Sequence, residues 1–110
     1  MDSTAIMIAP VETLTPGKGH SFLVDGEDIA VFFIDGDFHA VTNICPHQHV
    51  PLIAEGELHG DVVTCPMHGW MYNVATGEGV HGAGTIRTYE TFVQDGNLHV
   101  KIPKRQNQYW

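Results

Sequence analysis

The amino-acid sequence predicts an all-β protein, and three observations carry that prediction. Apolar residues fall in short runs, and no window shows a 3.6-residue period long enough for a helix. The runs are rich in Val, Ile, Phe, Tyr and Thr, whose branched or flat side chains suit a pleated surface. Between them fall 12 Gly and 6 Pro among 110 residues, several as Asp-Gly pairs at hairpin positions.

Taken in order, Ala5 to Ala9 reads as the first strand, and Val11 to Leu14 as a single helical turn. Thr15-Pro16-Gly17-Lys18-Gly19 is a turn, followed by a strand over His20 to Val24. Asp25-Gly26 and Asp35-Gly36 then bracket the apolar run Ile29 to Ile34, and Phe38 to Thr42 returns from the second turn. Phe32, Phe33, Phe38 and Phe92 are expected in the core or as cross-strand partners. His59-Gly60 is a further turn signal, followed by a strand over Val62 to Thr64 and another over Met71 to Val74. Ile86 to Gln94 reads as one strand, joined through Asp95-Gly96 to a last strand over Leu98 to Ile102. The tail Gln106 to Trp110 is expected to be loosely held. The expected architecture is a small sandwich or barrel of short antiparallel strands.

The length suits one domain, spanning 1–110. Acidic residues number 13 against 5 basic, a formal net charge of -8, which disfavours binding to nucleic acid or to an anionic membrane. The longest apolar stretches, such as Ile29 to Ile34, are too short to cross a bilayer. Met1 to Ile6 lacks the basic region and apolar core of a signal peptide, so a cytoplasmic location is expected. The acidic set, including Glu55, Glu57, Asp61, Glu78 and Glu90, reads first as a solvated surface that can steer a basic partner.

The chain holds 8 His but only 2 Cys, and the two cysteines stand in matching contexts. The first reads Cys45-Pro46-His47, the second Cys65-Pro66-Met67-His68, and residues 48–64 separate His47 from Cys65. Three arrangements are open to these residues. One is a Cys45–Cys65 disulfide beside incidental histidines, which the cytoplasmic character of the chain disfavours. A second is a Cys₂His₂ zinc site, although zinc motifs usually space their ligands C-x₂₋₄-C and H-x₃₋₅-H. The third is a [2Fe–2S] cluster in which two imidazoles replace two thiolates on one iron.

The double loop C-x-H, spacer, C-x-x-H resembles the Rieske iron–sulfur family, and the likeness extends from about Phe22 to Ile102. It includes Asn43-Ile44 before the first loop, Pro51-Leu52 after it, and His68-Gly69-Trp70 in the second. The resemblance implies stacked antiparallel sheets with a cluster-binding subdomain at about 43–85, whose two loops form a small tip around one [2Fe–2S] cluster. It implies that Cys45 and Cys65 hold the buried iron, and that His47 and His68 hold the outer one. Two ferric ions, two sulfides and two thiolates sum to a neutral cluster, so adding an electron costs less Coulomb work than in an all-thiolate cluster.

Where respiratory members of the family carry an additional disulfide pair, this chain has Met67 and the vicinity of His49-Val50. Where those members carry a Ser that bonds a sulfide, it has Trp70, which is expected to pack beneath the loops. Tyr72 matches a family tyrosine whose hydroxyl bonds a ligand sulfur. Fewer donors to sulfur imply a potential toward the low end of the Rieske range. The third loop, His81-Gly82-Ala83-Gly84-Thr85, is glycine-rich and lacks Pro, and both His49 and His81 are expected near the tip.

The resemblance implies no activity by the chain alone. It implies a soluble ferredoxin, monomeric and acidic around its tip, that carries single electrons from a flavin-containing reductase to a terminal oxygenase of aromatic-ring type. The alternative it implies is the small subunit of NAD(P)H-dependent nitrite reductase. A non-redox, zinc-stabilised interaction domain is the reading from the zinc arrangement.

Overall fold

The structure is a computed structural model that describes residues 3–46, 49–66 and 69–103. His47, Met67 and His68, and the tail from Gln106 to Trp110, lie outside the described residues. The described residues form three antiparallel sheets. One has the order β1-β10-β9, from β1 (Ser3–Pro10), β10 (Asn97–Pro103) and β9 (Thr91–Gln94). A second has the order β2-β3-β4-β8, from β2 (Gly19–Val24), β3 (Glu27–Ile34), β4 (Asp37–Thr42) and β8 (Thr88–Tyr89). The third has the order β5-β6-β7, from β5 (Glu57–His59), β6 (Val62–Thr64) and β7 (Met71–Asn73). Val11–Thr13 forms the expected single turn, of 3₁₀ type, and no helix among the described residues is long and apolar enough to cross a membrane.

The turn chemistry read from the sequence sets the register. Asp25, Asp35 and Asp95 have φ of 51°, 51° and 54°, and the Gly after each is also left-handed. Two consecutive left-handed residues make the tight turn whose twist matches a β-hairpin, so β2–β3, β3–β4 and β9–β10 pair without slippage.

The middle sheet has both faces covered. Ile29 to Phe32 are each 0% exposed, which explains why this strand reads as a continuous apolar run rather than an alternation. Ala30 and Phe32, with Val41 of β4, join a core that contains Cys45, Cys65, Val63, Tyr72 and Val74. Ile29 and Val31, with Ala40, join a second core with Leu98, Val100 and Ile102 of β10. The period-2 alternation of side chains thus lets one strand support two cores. Phe33 and Phe38 stack with ring centroids 4.4 Å apart, the expected cross-strand pair.

One expected element is corrected. Ile86 to Gln94 is not a single strand but two short ones, broken at Glu90. Thr88 and Tyr89 pair with Val41 and Ala40 of the middle sheet, whereas Thr91 to Gln94 pair with β10. Tertiary pairing divides what composition left continuous, because the segment must leave one sheet to join another. Thr91 Oγ1 donates to the Phe38 carbonyl at 3.1 Å, and the Lys101 amide donates to that of Glu90 at 2.9 Å, holding the crossover.

Candidate metal centre

Two loops carry the cysteines, one between β4 and the 3₁₀ turn Ile53–Glu55, the other between β6 and β7. Both cysteines are 0% exposed, and no disulfide joins them. Their backbones match. The Cys45 amide donates to the Val50 carbonyl at 2.9 Å, and the Cys65 amide donates to the Trp70 carbonyl at 2.7 Å. The fourth residue after each cysteine is left-handed: His49 at φ 55° and Gly69 at φ 74°. Each cysteine therefore opens a six-residue ring closed by its own N–H. Glycine takes the left-handed turn without cost in the second ring, while His49 carries a side chain through it.

The rings rest on different supports. The second rises from the three-stranded sheet, where Thr64 pairs with Met71 just outside it. The first is flanked by an isolated bridge between Ile44 and Pro51 and by the side chain of Asn43. Tyr72 is fully buried, and Trp70 packs partly buried against the core that contains both cysteines. A third segment closes over them. The Val80 amide donates to the Met71 carbonyl at 2.9 Å, and the Gly79 amide to that of Gly84 at 2.6 Å. Ala83 enters the same core, so the glycine-rich loop is folded in without Pro. His49 and His81 are both exposed.

Tyr72 gives the test of what the site holds. Its hydroxyl is buried and has no hydrogen-bond partner among the described residues. An unpartnered buried hydroxyl costs about 1–3 kcal/mol, so in a native protein it calls for an acceptor. Burial first, then the neighbouring Cys45 and Cys65 thiols, push its pKa up to about 12, so the phenol stays a donor at any ordinary pH. A buried donor near two buried thiols fits a sulfur-rich group. Among the described residues no three His, Cys, Asp or Glu side chains converge, and the two expected imidazoles, His47 and His68, lie outside them.

The expectation of an acidic tip is corrected in part. Residues 43–54, 65–77 and 79–86 contain no Asp, Glu, Lys or Arg, in a chain of net charge -8. Charge begins only at Glu55 and Glu57 after the first loop, and at Glu78 behind the second. Only the histidines can bring ordinary titratable charge to the three loops.

An all-β scaffold presenting two matched cysteine rings beside a buried tyrosine suits an iron–sulfur protein. The chain matches the family described as Rieske [2Fe-2S] domain over residues 4–92 and belongs to it, and its cofactor is a [2Fe–2S] cluster. It is 33% identical over 104 residues to the 3-phenylpropionate/cinnamic acid dioxygenase ferredoxin subunit of Photorhabdus laumondii, covering 92% of this chain and 97% of that one. Among solved structures it is similar to a chain of the complex of reduced oxygenase and oxidized ferredoxin in carbazole 1,9a-dioxygenase. That likeness has TM-score 0.83 and 27% identity, over 96% of this chain and 100% of the other. It is also similar to a putative NADH-dependent nitrite reductase small subunit from Mycobacterium tuberculosis, with TM-score 0.88 at 21% identity over 96% and 100%; this likeness shows the fold alone.

Asn43 is the residue whose role the sequence did not reveal. It was legible only as part of the likeness around the first loop, and nothing local distinguishes it from a turn asparagine.

Proposed function

We propose that this chain is the ferredoxin of a multicomponent oxygenase, taking single electrons from a flavin-containing reductase and delivering them to a terminal oxygenase of aromatic-ring type. Cys45, His47, Cys65 and His68 are the four ligands in this reading, and the unit that works is the single domain 1–110 with its cluster-binding lobe at about 43–85. The observation that carries it is the pair of fully buried thiols in matched rings near a Tyr72 hydroxyl that is buried without a partner among the described residues. The resemblance to dioxygenase ferredoxins over nearly their whole length supports the choice of partners.

When bound, the cluster supplies one reversible electron at a potential above that of all-thiolate clusters. The protein supplies the rest. The Cys45 and Cys65 rings fix the sulfurs and exclude water from them. Tyr72 donates toward sulfur, stabilising added negative charge. The uncharged loops leave no fixed charge for a docking partner to desolvate, while the acidic remainder of a cytoplasmic, monomeric carrier steers encounter from a distance.

Iron, zinc and acid-labile sulfide analysis of anaerobically prepared protein, with the reduced-state electron resonance, tests this. Iron and sulfide in equal amount with a mixed Cys/His signal support it. Zinc without sulfide, or the signal of an all-thiolate cluster, overturns it. The nitrite reductase small-subunit reading shares the fold, and copurification with a large siroheme protein would favour it over the carrier.

A further inference from the structure

We propose that Asn43 is the positioning residue of the first cluster loop, and that its side-chain amide, paired with the Asp28 carboxylate, sets the geometry at Cys45. The inference rests on the cluster-binding reading above and deepens it.

Tyrosines aside, Asn43 is the one buried polar residue among those described, only 3% exposed. Every polar group it carries is used. Its Nδ2 donates to Asp28 Oδ1 and to the Pro51 carbonyl, both at 3.0 Å. Its Oδ1 accepts from the Ala54 amide at 2.7 Å. Its own amide donates to the Asp28 carbonyl at 2.8 Å, and its carbonyl accepts from the Ile53 amide at 3.1 Å.

These bonds join three segments. Asp28 belongs to β3, the rigid strand shared by both cores. Asn43 lies two residues before Cys45. Pro51, Ile53 and Ala54 are the departing end of the same loop. One side chain therefore pins both ends of the loop to each other and to the scaffold. The second loop needs no such clamp, since β6 and β7 continue the ladder up to Thr64 and Met71. Beyond the bonds inside its own ring, the described residues of the first loop are held by the isolated Ile44–Pro51 bridge, the Ile44 amide's bond to Thr42 Oγ1 at 3.2 Å and this asparagine.

The chemistry requires an amide at 43 and an acceptor at 28. Aspartate at 43 would keep the acceptor for the Ala54 amide but would lose both donors and set one carboxylate against another. Exchanging the two residues restores an amide–carboxylate pair, leaving only the Pro51 carbonyl without its donor.

The test compares the cluster-loaded chain with Asn43→Ala, Asn43→Asp, Asp28→Asn and the exchanged Asn43→Asp/Asp28→Asn. The readouts are the rate of iron loss to EDTA, the reduced-state resonance, the midpoint potential and the thermal midpoint. Asn43→Ala and Asn43→Asp should lose iron roughly ten- to hundredfold faster, as for other residues that orient metal ligands, and should shift both resonance and potential. Asp28→Asn should change little, and the exchanged pair should recover most of the iron retention and potential lost in Asn43→Asp. Should Asn43→Ala not fold, the comparison of Asn43→Asp with the exchanged pair decides. The proposal is overturned if Asn43 variants keep iron retention, resonance and potential while only the thermal midpoint falls, or if the exchanged pair is no better than Asn43→Asp. An unsubstituted chain without iron and sulfide would instead overturn the cluster reading itself.

Discussion

The two cores that meet at β3 are built from different materials. On one side Ile29, Val31, Leu98, Val100 and Ile102 pack between longer strands, with one register shift between Met7 and Ala9 where β1 pairs with β10. On the other, three-residue strands support two buried thiols, a buried phenol without a partner and a glycine-rich cover. The first core holds itself together by burial of hydrocarbon. The second contains one buried hydroxyl, that of Tyr72, with no hydrogen-bond partner among the described residues. The contrast explains how a small carrier keeps a redox tip in place: the stable core owns the strand to which the tip is tied.

That comparison can be broken or sharpened by substitution. The largest effect belongs to the thiols. Cys45→Ser or Cys65→Ser should abolish the cluster, read as loss of iron and sulfide, while hydrogen exchange at β1 and β10 stays slow. A collapse of protection in both cores would show that the scaffold is not independent of the tip. Next comes the opposite core. Leu98 is fully buried, and Leu98→Ala should cost about 2–5 kcal/mol in denaturant unfolding while leaving the visible spectrum of the loaded protein unchanged.

Alkaline pH should act on the crossover between sheets. Tyr89 donates to Glu27 Oε1 at 2.7 Å, and Arg87 lies 3.6 Å from the same oxygen. Burial first, then the bond to Glu27, push the Tyr89 pKa up to about 12. A phenol that holds its proton more tightly when folded stabilises the fold fully below its unfolded value near 10, and that contribution disappears as pH rises through about 12. Ultraviolet titration should therefore show Tyr89 ionising late, and Glu27→Gln should bring it earlier.

A smaller effect separates the two rings. His49 occupies a left-handed position that Gly69 fills in the matching ring. His49→Gly should raise stability by at most about 1 kcal/mol, since relief of backbone strain is partly offset by the entropy of glycine in the unfolded chain. A marked loss instead would mean that the imidazole makes a contact worth more than the strain. The smallest change is expected from Tyr72→Phe, which should lower the midpoint potential modestly by removing one donor to sulfur, measured by redox titration. An unshifted potential would take Tyr72 out of the account.

Much of this was legible before any coordinates. Asp-Gly pairs specify hairpins locally, because the conformation they favour matches the twist of the strands. The two Cys-Pro loops were legible because ligand chemistry demands particular side chains at particular spacings. The role of Asn43 was not legible, since its five hydrogen bonds reach residues distant in sequence as well as near ones.

The sequence by itself therefore determined most of the strands, their Asp-Gly turns and the thiols and imidazoles available to a cluster, all of which follow from short-range stereochemistry and residue type. Only the tertiary structure decided that Ile86 to Gln94 splits between two sheets, that β3 serves two cores, and that Asn43 ties the first loop to Asp28. Those outcomes depend on which distant segments compete for the same backbone donors and the same apolar faces, and no local window contains both competitors.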